Sequence, residues 1–319
     1  MLRNTIPKPF LLLILLSFIL LSRCSKDDEP GLSPVLEEAF NIAQNNSLNR
    51  LTIDWTELRA RVSQAENNGN FEQGIRALLI GLADNHSFYR RTIGGTIYES
   101  EISCITRGFD LTDLPDDIGY VRVDGFSGNS TEGVNLATSI QNSIAGQDGP
   151  HLKGWVVDLS RNLGGNMYPM VAGLGPFYNQ EVLGFFIGPD GSEFPWGYAN
   201  GSSFLSSRGN QQVTVAQPYE LIDPNTKVVV IIDDATASSG EATTTSFIGR
   251  PNTLILGRPT CGLSTVNNGF PLSNGDTFIL TVATMADRNR QTYGGEIMPD
   301  EVTNTSVELK ARIIEWLDE

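Results

Sequence analysis

The sequence KVVVIIDDATASSGE occupies residues 227–241 and changes character twice along its length. Five aliphatic residues at 228–232 are followed by two aspartates and then by the small residues 235–240. A short apolar run that ends in this way is typical of a buried strand leading into a turn and a helix. Ser238 is therefore predicted to lie at the carboxyl edge of a sheet, beside the N–H groups of a helix that begins there. Such N–H groups can stabilise an oxyanion.

Similar patterns lie on both sides of this stretch. A strand-like segment at 120–123, a helical pattern over 134–144 and a buried strand at 154–159 follow one another, and this order implies a right-handed parallel crossover. Residues 170–210 lack a helical period and predict an antiparallel excursion over the sheet. Further patterns predict small helices within 31–62, helices at 71–82 and 307–317, strands at 253–257 and 278–283, and a hairpin turn at 273–276. The chain is therefore expected to have an α/β fold.

Length, composition and charge restrict the class of protein. With 319 residues, of which 40% are hydrophobic and 18% are charged, the chain can bury the core of one large or two modest globular domains. Its formal net charge is -15, and its lysines and arginines do not cluster. We therefore expect neither nucleic acid nor an anionic membrane surface as a partner.

The N-terminus has the pattern of an export signal. Arg3 and Lys8 precede an apolar run at 9–21, which is too short for a comfortable membrane span, and Cys24 follows with a polar, acidic segment. This order resembles the start of a bacterial lipoprotein, in which the cysteine is lipidated and becomes the first residue of the mature protein. We predict a lipid anchor at Cys24 as the protein's membrane contact, with simple secretion as the alternative.

The two histidines of the chain lie in different settings. His86 follows the predicted helix at 71–82, where a polar loop begins. Histidine is the residue that most often acts as a general base, because its pKa lies near neutrality. The alternative for His86 is a helix-end histidine that binds a carbonyl group. His151 lies in a predicted turn, where a position on the surface is expected.

Two cysteines, Cys104 and Cys261, remain in a chain that we expect to be exported. They are far apart in sequence, and sequence alone does not establish a disulfide between them. The alternative is that both are small, buried thiols. The two hypotheses stay open.

Five blocks of sequence follow one another in a fixed order across residues 119–300. They are 119–123 (GYVRV), 157–165 (VDLSRNLGG), 236–241 (TASSGE), 257–262 (GRPTCG) and 297–300 (IMPD). The series resembles the C-terminal-processing (tail-specific) serine protease family. The resemblance implies an α/β crotonase/Clp-like core of stacked ββα units with a small N-terminal helical subdomain. The predicted organisation is a signal peptide at 1–23, a lipoprotein tether at 24–34, a helical subdomain at 35–95 and a serine protease-like α/β catalytic domain at 96–319.

The same resemblance implies roles for the residues around the turn. Ser238 corresponds to the family's nucleophile. The N–H of Ser239 and that of Gly164 or Gly165 correspond to the oxyanion hole, and the glycine pair also permits a close backbone approach to a substrate. Leu263 stands where members with a Ser–Lys dyad carry the lysine, and a leucine cannot accept a proton.

The missing lysine favours the branch that resembles the protease tricorn, in which histidine is the base. His86 then corresponds to the base, and Ser87 is the candidate for an auxiliary serine. The acid that orients the histidine should come from the C-terminal part of the chain. Glu296 and Asp287 are both candidates, with Glu296 narrowly favoured.

These inferences predict an exported serine endopeptidase that cleaves peptide bonds of a peptide or protein substrate through a Ser–His acyl-enzyme mechanism, without a cofactor or a metal ion. It is expected in the cell envelope, lipid-anchored at the outer membrane and either periplasmic or surface-exposed. The alternative is a non-catalytic lipoprotein of the same fold that binds an apolar or carbohydrate ligand with the aromatic segment 177–198. The oligomeric state stays open.

Overall fold

The computed structural model describes residues 31–99, 102–105 and 107–319, so the predicted signal peptide and Cys24 lie outside the described residues. The helices are α1 (Pro34–Asn46), α2 (Trp55–Asn68), α3 (Phe71–Gly81), α4 (Ser130–Gln147), α5 (Met167–Gly173), α6 (Ser239–Thr245) and α7 (Ser306–Asp318). The strands are β1 (Phe88–Arg90), β2 (Thr96–Tyr98), β3 (Ile118–Arg122), β4 (Gly154–Asp158), β5 (Val182–Ile187), β6 (Glu193–Ala199), β7 (Ser202–Leu205), β8 (Gln211–Thr214), β9 (Val228–Ile232), β10 (Thr253–Gly257), β11 (Thr265–Pro271), β12 (Thr277–Asp287) and β13 (Glu301–Val302). In the part of the chain so described, no helix has the length and apolar character needed to cross a membrane.

A parallel sheet with the order β13-β10-β9-β4-β3 contains the aliphatic run at 228–232 as strand β9. β9 lies at its centre with every residue buried, as its aliphatic sequence predicts. β3 and β4 are parallel and joined by α4, which confirms the predicted crossover. Apolar side chains of α4 pack on one face of the sheet and those of α7 on the other. Because β4 and β9 are parallel neighbours, the loops that follow them lie side by side.

An antiparallel sheet has the order β2-β1-β12-β5-β6-β7-β8, with β11 also paired to β12. Strands β5 to β8 form the antiparallel excursion that the sequence predicts. The helix α5 precedes them and was not predicted, because seven residues are too few to show a helical period. The predicted hairpin turn at 273–276 connects β11 and β12. The α/β class is thus confirmed, with one parallel and one antiparallel sheet.

The N-terminal helices pack on the antiparallel sheet. Leu36 of α1 and Leu78 of α3 belong to one buried cluster with Tyr89 of β1 and Phe278 of β12. Residues 32–319 form one compact unit. Because α3 is followed almost at once by β1, the short loop between them is held against β12, and this loop carries the predicted base.

Cys104 and Cys261 form a disulfide, which decides between the two hypotheses that the sequence leaves open. The bridge joins positions 157 residues apart. The N–H of Ile105 donates to the carbonyl of Asp234 at 3.2 Å, and the N–H of Cys261 donates to the carbonyl of Thr236 at 2.9 Å. The disulfide therefore fastens two separate segments against the turn that follows β9.

Replacing both bridged cysteines with serine is expected to lower the free energy of unfolding by about 2–5 kcal/mol, because a bridge that closes a long loop restricts the unfolded chain strongly. Equilibrium urea unfolding of the oxidised protein and of the double variant measures the difference. Wild-type protein treated with a reductant should match the variant. Equal stability of all three samples would contradict the prediction.

Candidate active site

Ser238 lies in the turn between β9 and α6, in a backbone conformation that L-residues avoid. Its φ and ψ are 53° and -115°, and a conformation of this kind costs about 1–3 kcal/mol and persists only where its surroundings impose it. Asp233 stabilises the turn, since its carboxylate accepts the N–H groups of Ala235 at 3.1 Å and Arg161 at 2.9 Å. A strained turn between a strand and a helix presents its side chain at the edge of the sheet, as nucleophile-bearing turns do in hydrolases.

The loop after β4 brings the glycine pair against Ser238. A Cβ on Gly164 would lie 2.9 Å from the Cβ of Ser238, so only glycine permits this approach. The N–H of Gly164 donates to Oδ1 of Asn162 at 3.0 Å. Within the described residues, the N–H groups of Gly165 and Ser239 have no protein acceptor, and Oγ of Ser239 donates to the carbonyl of Gly165 at 2.6 Å. The N–H of Gly164 is thus engaged by Asn162, and we base the proposal below on the N–H groups of Gly165 and Ser239.

Glu241 is buried behind Ser238 and connects the turn to the loop after β10. Its carboxyl oxygens accept four hydrogen bonds, from the N–H groups of Ser238 (2.7 Å), Leu263 (2.9 Å) and Gly262 (3.0 Å) and from the hydroxyl of Thr260 (2.6 Å). Burial raises the pKa of Glu241 to about 7, and these hydrogen bonds oppose the rise in pKa. The carboxyl group thus positions Ser238 relative to the loop that the disulfide holds.

His86 lies in the loop between α3 and β1, and its side chain contacts β11. Nδ1 of the ring is 2.8 Å from Oγ1 of Thr265. The backbone is fixed as well, because the N–H of His86 donates to Oδ1 of Asp84 at 2.9 Å and its carbonyl accepts a hydrogen bond from Nδ2 of Asn267 at 2.9 Å. Burial lowers the pKa of His86 to about 4, and the nearby charge of Asp84 raises it by a smaller amount. The imidazole is therefore neutral at pH 7.

Neither of the predicted carboxylates reaches His86. Glu296 is exposed and lies against Gly262. Asp287 is buried at the end of β12, where it accepts hydrogen bonds from the N–H groups of Asn289 and Gln291 and the hydroxyl of Tyr293. Among the hydrogen bonds and ion pairs of the described residues, none joins either carboxylate to His86. The role of an orienting acid therefore stays a prediction for both residues, and the side chain found on Nδ1 is that of Thr265.

Ser87 has a structural position. Its hydroxyl donates to Oδ2 of Asp84 at 2.8 Å and accepts the N–H of Thr281 at 2.9 Å, so it joins the loop to β12. Within the described chain it makes no hydrogen bond to the side chain of His86 or to Ser238. The hydroxyl of Ser87 therefore anchors the loop both as a donor and as an acceptor, and its role as an auxiliary serine stays a prediction.

A cleft of about 870 Å³ contains both Ser238 and Thr265 in its lining, a size typical of ligand sites. The rest of the lining is mixed. It includes the apolar side chains of Met167, Phe186, Val266, Ala283 and Met285 together with several asparagine and serine side chains. Arg50, between α1 and α2, and Asp190, in the turn between β5 and β6, also line the cleft and lie 3.6 Å apart as an ion pair. No direct hydrogen bond joins His86 to Ser238 in the described chain, but the cleft brings Ser238 together with the residue that binds His86. In apo structures catalytic hydrogen bonds are often long.

Most of the aromatic side chains of 177–198 do not reach the cleft. Phe186 and Phe194 line it, whereas Phe177 and Trp196 belong to buried clusters. The alternative hypothesis of a ligand-binding protein depends on this segment, and the structure gives most of its aromatic rings a role in the core. Nor does any group of three or more His, Cys, Asp or Glu side chains among the described residues form a possible metal site.

Residues 117–303, more than half of the chain, match the model of a protein family described as peptidase family S41. A nisin-resistance protein of Lactococcus lactis subsp. lactis is 31% identical over 198 residues, which cover 62% of this chain and 59% of that protein. The chain thus spans less than two thirds of the length of this relative.

Two solved structures share the fold. A lipoprotein from Streptococcus agalactiae has a TM-score of 0.66 at 22% identity, over 90% of this chain and 98% of that one. The photosystem II D1 C-terminal processing protease has a TM-score of 0.51 at 14% identity, over 86% of this chain and 94% of that one. The resemblance to C-terminal-processing proteases that the five sequence blocks suggest is confirmed at the level of family and fold.

Proposed function

This chain belongs to peptidase family S41, and from that membership we propose that it is a serine endopeptidase that acts through an acyl-enzyme. The observation that carries the proposal is the turn at Ser238, where a strained serine lines a large cleft beside two amide N–H groups that have no acceptor among the described residues. Those N–H groups belong to Ser239 and Gly165. A neutral histidine, His86, forms a hydrogen bond with Thr265, which also lines this cleft.

In the proposed reaction, Nε2 of His86 accepts the hydroxyl proton of Ser238 while Oγ bonds to the carbonyl carbon of a peptide. The resulting oxyanion accepts the N–H groups of Ser239 and Gly165. His86 then gives its proton to the leaving nitrogen as the C–N bond breaks. In the second half, His86 takes a proton from water, the hydroxide attacks the acyl-enzyme, and the proton returns to Ser238 as the acid leaves.

We propose that the protein works in the cell envelope as a lipoprotein anchored through Cys24, at the outer membrane and either in the periplasm or on the cell surface. The N-terminal sequence supports export, and the disulfide between Cys104 and Cys261 supports an oxidising compartment. A solved structure that shares the fold is described as a lipoprotein. The substrate is a peptide or protein segment, and nisin belongs in the test panel because a relative is named a nisin-resistance protein.

An active-site probe tests the proposal. A fluorophosphonate should label the purified protein, the labelled tryptic peptide should contain Ser238, and Ser238→Ala should remove the label. The same preparations are incubated with casein and with a peptide library, and cleavage is followed by mass spectrometry. Label on a different serine, or the absence of both label and cleavage, would contradict the proposal.

Gly165→Ala is expected to lower kcat by about 10²–10³-fold, because it displaces one oxyanion donor. The added Cβ would lie 1.9 Å from the carbonyl oxygen of Phe126, at a φ of 111°, so the backbone must move. Steady-state kinetics on a peptide substrate measure the loss. Gly95→Ala is the matched control, since its φ is 86° but nothing lies within 4 Å of the new Cβ. If both variants retain wild-type kcat, the amide of Gly165 has no part in the reaction.

A further inference from the structure

Thr265 stands where a carboxylate stands in a Ser–His–Asp triad. Its Oγ1 is 2.8 Å from Nδ1 of His86, and the residue is only 7% exposed. Within the described residues, the hydroxyl of Thr265 makes no other hydrogen bond, and Nε2 of His86 makes none. The ring therefore has one nitrogen bound to a fixed partner and the other available.

We propose that Thr265 is a positioning residue of this peptidase, whose hydroxyl accepts the Nδ1–H of His86 and so keeps the lone pair of Nε2 available for the proton of Ser238. The inference rests on the proposed function. A hydroxyl can donate or accept, but only the accepting arrangement leaves Nε2 basic, because neutral imidazole carries a single proton. After proton transfer both nitrogens are protonated, and the same Nδ1–H···Oγ1 bond persists.

Thr265 is also held in a fixed position relative to Ser238. Its N–H donates to the carbonyl of Leu263 at 2.8 Å. The N–H of Leu263 and the N–H of Ser238 donate to the same oxygen, Oε2 of Glu241, at 2.9 Å and 2.7 Å. A continuous series of short contacts thus runs from the nucleophile to the residue that binds His86. The loop that carries it is the one fastened by the disulfide.

A threonine in this position differs from a carboxylate in one respect. It fixes the tautomer and the orientation of the ring, but it carries no charge that would stabilise the imidazolium. The nearby charge that acts on His86 comes from Asp84, which hydrogen-bonds to the backbone N–H of the histidine. The contribution of Thr265 is therefore one of geometry, and removing the hydroxyl should cost less than removing a triad aspartate.

Thr265→Val tests the inference, because valine keeps the shape of the side chain and removes the hydroxyl. We expect kcat to fall about 10²-fold with KM nearly unchanged, since general base catalysis as a whole contributes about 10²–10⁴-fold. Thr265→Ser keeps the hydroxyl and should retain kcat to within about threefold. Nitrogen-15 NMR of the ring should show protonated Nδ1 in the wild type and in the serine variant, and a mixture of tautomers in the valine variant.

Thermal unfolding establishes that each variant is folded, and Thr265→Ala replaces the valine variant if that protein does not fold. Wild-type kcat in Thr265→Val would overturn the inference. So would a low kcat that Thr265→Ser shares, because the loss would then come from packing. The proposed function is tested separately. If Ser238→Ala still cleaves the substrate, hydrolysis does not occur at this site. The NMR experiment still reports on the hydrogen bond between Thr265 and His86 in that case.

Discussion

Ser238→Ala is expected to lower kcat by about 10⁴-fold or more, the effect of removing the nucleophile from other Ser–His hydrolases. The substitution deletes the oxygen that attacks the carbonyl carbon in the proposed reaction. It leaves the N–H of Ser238 in place, which donates to Glu241 at 2.7 Å and holds the turn. The oxyanion donors at Ser239 and Gly165 also remain. The variant should therefore bind substrate with nearly normal affinity and fail in the chemical step.

Two measurements establish this result. Single-turnover kinetics on a peptide substrate give the chemical rate, and thermal unfolding shows that the variant is folded. Ser143→Ala is the matched control, since Ser143 is exposed on α4 far along the chain from the turn. Hydrolysis by Ser238→Ala at the wild-type rate would rule out the acyl-enzyme at this residue.

His86→Ala is expected to lower kcat by about 10³-fold, because it removes the proposed general base and leaves the proposed oxyanion donors intact. It also leaves the hydroxyl of Thr265 without its partner in a largely buried site. His151→Ala provides the control within the same chain, since His151 is exposed in the segment before β4. Equal losses in both variants would show a general sensitivity to histidine replacement and would contradict the role of His86.

The low pKa of His86 sets the direction of the pH dependence. Burial lowers the pKa to about 4, and the base works only when it is neutral. For the free enzyme, kcat/KM should therefore rise with pH through a midpoint of about 4. It should stay constant between about pH 5.5 and pH 6.5, the range in which an unperturbed histidine changes its protonation state. NMR titration gives the pKa of the His86 ring directly, and the signal of this ring is identified because it is missing from the spectrum of His86→Ala. The titration of His86 is thereby distinguished from that of Glu241. A midpoint near 6.5 would contradict the prediction.

The sequence predicts most of the parallel sheet because β9 is buried on both faces, and burial of this kind demands an unbroken aliphatic run. It also predicts that Ser238 lies at the edge of that sheet, because a turn of small residues follows the run. Whether Cys104 pairs with Cys261 depends on which segments meet in space. That property is not local, so the sequence leaves it open.

The immediate surroundings of the predicted base were the weakest part of the prediction. The sequence suggests Glu296 and Asp287 because an acid from the C-terminal part of the chain is expected to orient the histidine, and neither forms a hydrogen bond with His86 in the described chain. Thr265 was missed because a threonine at the start of a strand is common, and nothing local distinguishes one that faces an imidazole 179 positions earlier. Gly164 could not be told from Gly165, since the difference is a hydrogen bond to the side chain of Asn162.

The ion pair between Arg50 and Asp190 joins the segment between α1 and α2 to the turn between β5 and β6 within the lining of the cleft. A single extended polypeptide, with strands spaced about 5 Å apart in a sheet, is much thinner than a folded domain. In the proposed peptidase, an extended segment is therefore the form of substrate that fits into the cleft beside this ion pair.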